Sequence, residues 1–395
     1  MRYLSADLIF PIVGDPVKNG ILAIHDDGTV AEVLRQDARD RPPPVEVRQY
    51  KGILCPGFVN AHCHLELSHM KGVVAEKGGL PCFLTDIISR REENAELKME
   101  RIRAADQGMW EAGIQAVGDI CNTADTVSTK ADSRIRYHSF VEVFSMDPDR
   151  SGQMMDVGVG VAQALREKGL AATLVPHAPY SVFKVLYGLI REQQHEFPGT
   201  VSIHSQETES EDEMFVSGTG ALMKTFRDFG IDFSHHAPNG KSSLRNSLPQ
   251  LPTGQNILLV HNTCTIAEDM EFAHAFRDDI HWCTCPHANM YIEQRIPDIP
   301  MWLQHGARVC VGTDSLASNH QLSVLEELKL MQQHHSGIGL ATLLEMATLN
   351  GAKVLGMEKE LGSFENSKRP GILLLRSDGP DLTRLTDRTT VERII

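Results

Sequence analysis

Cysteine is sparse in this chain, with eight in 395 residues, too few for the disulfide scaffold of a small secreted domain. No apolar run approaches the roughly 18 residues that a membrane helix requires. No block of lysine or arginine offsets the net charge of −14, and acidity spread in this way disfavours nucleic acid and anionic membrane as partners. A small molecule is the expected ligand. Near the N-terminus, Asp7 and Pro11 interrupt the apolar residues Leu8, Ile9, Phe10, Ile12 and Val13, and no basic segment or cleavage signature accompanies them. That stretch reads as a first strand, and the cytoplasm is the expected compartment. Internal repeats and low-complexity tracts are also absent.

What is present is an alternation. Eight short apolar segments close on polar or ionisable residues: Gly52–Asn60, Ala116–Ile120, Ser139–Phe144, Ala172–His177, Thr200–His204, Asn256–His261, Ile280–Pro286 and Arg308–Asp314. Stretches of helical composition lie between them, among them Glu92–Ala112, Asp156–Lys168, Val182–Glu196, Glu268–Arg277 and Leu322–His334. Eight strand–helix units predict an α/β fold of the (β/α)8, TIM-like barrel type. The ends differ, being strand-like with turn signals at Gly14-Asp15, Asn19-Gly20 and Asp26-Asp27-Gly28. Residues 1–56 and 353–395 are therefore expected to pair into one small β-sandwich domain beside a barrel spanning 57–352.

The strongest local signal is Pro56-Gly57-Phe58-Val59-Asn60-Ala61-His62-Cys63-His64. Residues two apart on a strand share a face, so His62 and His64 can present both imidazoles to one ion at the C-terminal end of the strand, where barrel enzymes keep their active sites. Cys63 then points the other way, into the core. Three later strands also end on ligand or acid–base residues: His204 with Glu207, His261, and Asp314. Around one barrel mouth, His62, His64, His204 and Asp314 could surround a single divalent ion, with His261 and Glu207 reaching the water beside it. Cys283 and Cys285 lack a second thiolate pair and are not expected to form a separate zinc site. The pairs His235-His236 and His334-His335 read as solvent-side. Glu66 and Ser68, just after the metal pair, fit either substrate contact or loop hydrogen bonding.

Taken in order, the nonapeptide above, His177-Ala178-Pro179-Tyr180-Ser181, His204-Ser205-Gln206-Glu207-Thr208, His261-Asn262, Cys285-Pro286-His287-Ala288-Asn289 and Gly312-Thr313-Asp314-Ser315 resemble the amidohydrolase superfamily. The likeness is to its branch of metal-dependent deaminases and triazine chlorohydrolases, closest to aminofutalosine deaminase-like proteins. The resemblance implies one metal ion, zinc or else iron, held by His62, His64, His204 and Asp314. It implies catalytic roles for Glu207 as proton shuttle, for His261 beside the attacking water or substrate, and for Asp314 as proton acceptor. It implies substrate contacts from Glu66, His177, Asn289 and Ser315. Binuclear relatives carry a carboxylated lysine where this chain has His177, which favours one metal. A homodimer is the assembly the branch suggests.

The activity so implied is hydrolytic deamination of an aminated heteroaromatic ring, purine nucleoside-like and with aminodeoxyfutalosine as a candidate. A chlorohydrolase, or a hydrolase opening a cyclic amidine or imidazolone ring, is the alternative. The latter would need a guanidinium-rich pocket, for which no motif stands out. A non-catalytic relative would be expected to lose Glu207 or Asp314, and both are present. The ribose-binding glutamate of the methylthioadenosine and S-adenosylhomocysteine deaminases has no counterpart in Gly79-Leu80-Pro81-Cys82-Phe83-Leu84. The long 226–252 segment offers Lys241, Ser243 or Arg245 to a substrate carboxylate, or is a surface excursion.

Overall fold

The computed structural model describes residues 1–35, 37–38, 43, 46–233, 237–377 and 382–395. Eight parallel strands carry the site: β1 (Phe58–Cys63), β2 (Ile114–Cys121), β3 (Arg136–Val143), β4 (Ala171–Pro176), β5 (Val201–Ser205), β6 (Ile257–His261), β7 (Ile280–Thr284) and β8 (Arg308–Val311). They form two four-stranded sheets, β1 to β4 and β5 to β8, each in sequence order. The β4 side meets the β5 side where His204 N donates to His177 O at 2.9 Å. The other seam is a parallel bridge between Cys63 and Asp314. Seven of the eight strands match the segments expected from sequence, whereas the expected Gly52–Asn60 divides into Ile53–Pro56, which joins the sheet of the chain ends, and the start of β1.

The strands between neighbours are buried on both faces, β6 and β7 along their whole length, as parallel strands covered by helices must be. Helices such as Ala95–Glu111 and Ser151–Glu167 run between them. The first of these starts where Asn94 Oδ1 accepts from the backbone N–H of Glu96 and Leu97, satisfying donors that a helix end leaves orphaned. The segment after β1 that contains Leu80 is not loop alone but the helix Gly79–Arg90.

The two chain ends meet in antiparallel register, Ile372–Arg376 against Ile53–Pro56, within a five-stranded sheet that also holds Leu8–Ile9, Val17–Lys18 and Thr390–Arg393. A second sheet contains Val30–Leu34, Ile21–Ile24, Arg2–Ser5 and Val47–Gln49. Side-chain alternation divides the work of the shared strands. Leu54, Ile372 and Leu374 pack with Leu4, Leu22 and Ile24 of the second sheet, whereas Ile53, Cys55, Leu373 and Leu375 join the large core under the parallel strands. All eight cysteines are free thiols. No helix among the described residues is long and apolar enough to cross a membrane.

Close strand packing around β2 requires a glycine. A Cβ on Gly118 would lie 2.5 Å from Ala61 O and 2.8 Å from Phe140 Cε2. Gly118→Ala is expected to destabilise by about 1–3 kcal/mol through overpacking. Gly160→Ala, in the interior of a helix with nothing within 4 Å, should gain about 0.5–1 kcal/mol from helix propensity. Urea midpoints of the two variants check this pair of opposite signs.

Candidate metal centre

The ends of β1, β5 and β8 bring four donors together. Asp314 Oδ1 lies 3.4 Å from His62 Nε2 and 3.4 Å from His64 Nε2, and His64 Nε2 is 3.3 Å from His204 Nε2. Ligand atoms of His62, His64 and His204 fall within 4.8 Å of one another, as do those of His62, His261 and Asp314. Backbone geometry aims them. Gln206, His261, Asn262 and Asp314 all have positive φ, of 46°, 71°, 50° and 56°, a costly region for side-chain-bearing residues that concentrates at functional sites.

Each ring is fixed by its second nitrogen or by packing. His204 Nδ1 donates to His177 O at 2.9 Å, leaving Nε2 free for the centre. His261 Nδ1 faces Asn289 Oδ1 at 3.3 Å, and Asn289 Nδ2 donates to Thr263 Oγ1 at 2.7 Å. His62 is buried with neither nitrogen hydrogen-bonded. A polar atom left unpartnered in the interior is costly unless something takes its lone pair, and imidazoles with one carboxylate are a donor set suited to zinc.

Electrostatics prepare the same groups. Burial drives the imidazoles towards neutrality, His64 down to about 3 and His177 down to about 4. Burial alone would raise Asp314, but the His62 imidazole 3.4 Å away and the nearby His64 and His261 hold it well below the usual carboxylate range. Neutral imidazole and ionised carboxylate are the ligating forms. Glu207 goes the opposite way: burial, then Asp314, Glu293 and Glu142, push it well above 4.5. Its Oε1 stands 3.7 Å from His261 Nε2.

A cavity opens over these groups and is lined by His64, His177, His204, Glu207, His261, Asp314 and Ser315 at its polar end. Its other wall is apolar, with Leu80, Phe83, Leu84, Phe144 and Phe226. Two residues expected at the substrate do not line it. Glu66 is buried behind the wall, its Oε2 accepting from Asn122 N (3.0 Å), Thr123 N (3.2 Å) and Thr123 Oγ1 (3.2 Å), its Oε1 3.6 Å from Arg91 Nη2. Asn289 is held behind His261. Among the described residues of the 226–252 segment only Phe226 reaches the cavity. Arg245 is spent on Asp269 Oδ1 at 2.5 Å and Glu268 O at 2.8 Å, Ser243 N donates to Asp212 Oδ1 at 2.7 Å, and Lys241 is exposed. Ser68 Oγ donates to Leu65 O at 2.7 Å, a loop bond.

Cys63, Cys283 and Cys285 belong to the large core. His334 is exposed, but His335 is half-buried with Nε2 3.1 Å from Pro297 O. His235 and His236 lie outside the described residues.

Three supporting groups escaped the sequence reading. Glu142, a lone charge in Val141-Glu142-Val143, ends β3 inside the cavity. Glu211 accepts from Gln206 N and Glu207 N, both at 3.1 Å, and so fixes the turn that carries Glu207; the pattern Thr208-x-x-Glu211 was its available signal. Asp119 accepts from Leu65 N at 2.8 Å and pairs with Lys130 Nζ at 2.7 Å, with both side chains fully buried. Lys130 also donates to Ser139 Oγ at 2.9 Å. This pair anchors the chain directly after His64. Lys130→Met, which strands Asp119 in the interior, is expected to cost about 3–5 kcal/mol. The double variant with Asp119→Leu should recover much of that loss in chemical denaturation.

Known proteins resemble this chain at low identity. The chain is 24% identical to a 5-methylthioadenosine/S-adenosylhomocysteine deaminase of Thermodesulfovibrio yellowstonii, over 94% of this chain and 83% of that one. Its structure resembles Helicobacter pylori aminofutalosine deaminase in complex with methylthio-coformycin, with TM-score 0.80, 22% identity, and 96% and 93% of the two chains covered. It also resembles Arthrobacter aurescens atrazine chlorohydrolase complexed with zinc, with TM-score 0.73, 17% identity, and 98% and 90% covered. The model of the Amidohydrolase family matches residues 53–392, and the chain belongs to that family.

Proposed function

We propose that this protein is a hydrolytic deaminase that holds one zinc ion and releases ammonia from an aminated purine-like ring, with a nucleoside of the aminofutalosine kind as the leading substrate. The carrying observation is the convergence of His62, His64, His204 and Asp314 from three strand ends, beside a second carboxyl, Glu207, whose pKa is shifted the opposite way by burial and acidic neighbours. The named deaminases among its relatives support the same chemistry. His62, His64, His204 and Asp314 are the proposed ligands, and the unpartnered nitrogens of His62 fit that role. Such an ion, when bound, lowers the pKa of water to about 7 and so supplies a nucleophile near neutral pH.

The remaining steps belong to the chain. Asp314, ionised and steadied at Oδ2 by the Ser318 hydroxyl, takes the proton that the attacking water gives up. Glu207, kept protonated by burial and acidic neighbours, donates to a ring nitrogen as the water oxygen adds to the adjacent carbon. The amine then leaves as ammonia with the proton from Asp314, and the added hydroxyl gives its proton to Glu207, leaving a carbonyl beside the ring N–H. His261, whose Nδ1 is occupied by Asn289, turns Nε2 towards the reacting atoms. His177, with Nδ1 2.6 Å from Ser181 Oγ, and Ser315 bind the substrate.

In the same reading the two parallel sheets close as one eight-stranded barrel over residues 57–352. The seams at His177–His204 and Cys63–Asp314 support closure. Residues 1–56 and 353–395 form a β-sandwich whose two sheets share Leu4, Leu22, Leu54 and Leu374. Eight free thiols suit the cytoplasm.

Ammonia release across adenosine derivatives, aminodeoxyfutalosine, guanine, cytosine and pterins tests the proposal. Turnover of at least one aminated ring by zinc-loaded protein is expected, and turnover of none would remove the deaminase reading. Glu207→Gln should lower kcat by about 10²- to 10⁴-fold, the usual worth of a positioned acid–base, with zinc content unchanged. Loss of zinc in that variant would make Glu207 a ligand instead.

A further inference from the structure

We infer that Glu142 is a specificity-determining residue that accepts a hydrogen bond from an O–H or N–H donor on the edge of the substrate opposite its amine. The inference rests on the deaminase reading above. Glu142 ends β3 and lines the cavity. One side of its carboxylate is fixed, because Asn122 Nδ2 donates to Glu142 Oε2 at 3.1 Å and to Glu142 O at 3.0 Å. The other oxygen, Oε1, is buried with no hydrogen-bond partner.

Two other uses for that oxygen fail on geometry. It lies 3.4 Å from His204 Nδ1, which would suit a carboxylate that orients a metal-binding imidazole. The Nδ1 proton, however, is already donated to His177 O at 2.9 Å. Glu142, His177 and His204 also come within 4.8 Å of one another as a candidate ion site. With His204 Nδ1 protonated and His177 Nδ1 against Ser181 Oγ, too few free donors remain for the four ligands a zinc site needs.

What remains is a buried, unpartnered acceptor on a residue that lines the cavity, and a buried acceptor calls for a donor. No side chain of the surrounding wall donates to it, and much of that wall is apolar, with Leu80, Phe83, Leu84, Phe144 and Phe226. The nearby cation Arg91 is turned to Glu66 at 3.6 Å. Glu142 stands on the Nδ1 side of His204, away from the Nε2 that faces the other ligands. In the proposed pose the ring has its amine at the ligand cluster and its far edge at Glu142. In a purine nucleoside that edge carries the sugar hydroxyls, and in a free purine it carries a ring N–H. Either is the donor chemistry that Oε1 would recognise.

The test compares adenosine, 2′-deoxyadenosine, 3′-deoxyadenosine and adenine as probes of the zinc-loaded full chain, native and Glu142→Gln. In the variant the amide oxygen can keep the Asn122 bond, which turns an N–H towards the substrate donor. Replacing the accepted hydrogen bond by two facing donors is expected to lower kcat/KM about 10- to 100-fold for the donor-bearing probe, and less than about threefold for the analogue lacking that donor. A loss confined to adenosine against one deoxy analogue identifies the hydroxyl; a loss extending to adenine identifies the ring N–H. Glu142→Asp, which keeps the charge but withdraws it, should lie between. Equal losses for every probe, no loss for any, or a fall in zinc content would overturn the inference. Calorimetric binding of the same four probes separates the two readings. Binding that depends on Glu142 without ammonia release overturns only the deaminase reading, whereas ammonia release indifferent to Glu142 overturns only this one.

Discussion

The seam between the first and last parallel strands holds His62 and Asp314 in one frame, and the site is built outward from it. Thr313 N and Asp314 N both donate to His62 O, at 3.0 and 3.1 Å. Asn60 clamps the same point, accepting from Thr313 N at 3.0 Å and donating to Thr313 Oγ1 at 2.7 Å. The approach is close enough that a Cβ on Gly312 would lie 2.7 Å from His62 Cβ and 2.8 Å from His62 O. Only glycine allows the two strands to come so near, and the left-handed turn at Asp314 then directs its carboxylate back towards the imidazoles. Buried backbone groups that must pair thus set the distance between donors before any ion is considered.

Two carboxyls facing one cavity are shifted in opposite directions because their neighbours differ. Asp314 meets imidazole nitrogens and a serine hydroxyl, whereas Glu207 is buried among other carboxyls, Asp314, Glu293 and Glu142. Environments that push two acids apart in this way assign one as base and the other as acid. The turn bearing Glu207 is held by Glu211, which accepts from two successive backbone N–H groups, so the acid is placed by a rigid support rather than by a loose loop.

The parallel strands were legible because each is an apolar run bounded by polar residues, and the meeting of His62 with His64 because a strand's period of two puts both on one face. The same logic failed wherever a role depends on which partner a side chain finds. Glu66 and Asn289 carry groups that could touch substrate, but their acceptors are consumed by Thr123, Asn122 and Arg91, and by His261. Arg245 looked available to a carboxylate and is instead paired with Asp269. Glu142 and the Asp119–Lys130 pair gave no motif at all, since their importance comes from burial and from contacts across several strands. Sequence periodicity locates a face; it does not say which hydrogen bonds on that face are already spent.

The support beneath the centre therefore decides its chemistry as much as the ligands do, and the central claim is that one ion belongs there. Anomalous diffraction at the zinc edge, from crystals of zinc-loaded protein, tests it most directly. The account predicts a single strong peak bounded by His62 Nε2, His64 Nε2, His204 Nε2 and Asp314 Oδ1. A pair of peaks within the cavity, or a peak between Glu142 and His177 with those four atoms free, would contradict it.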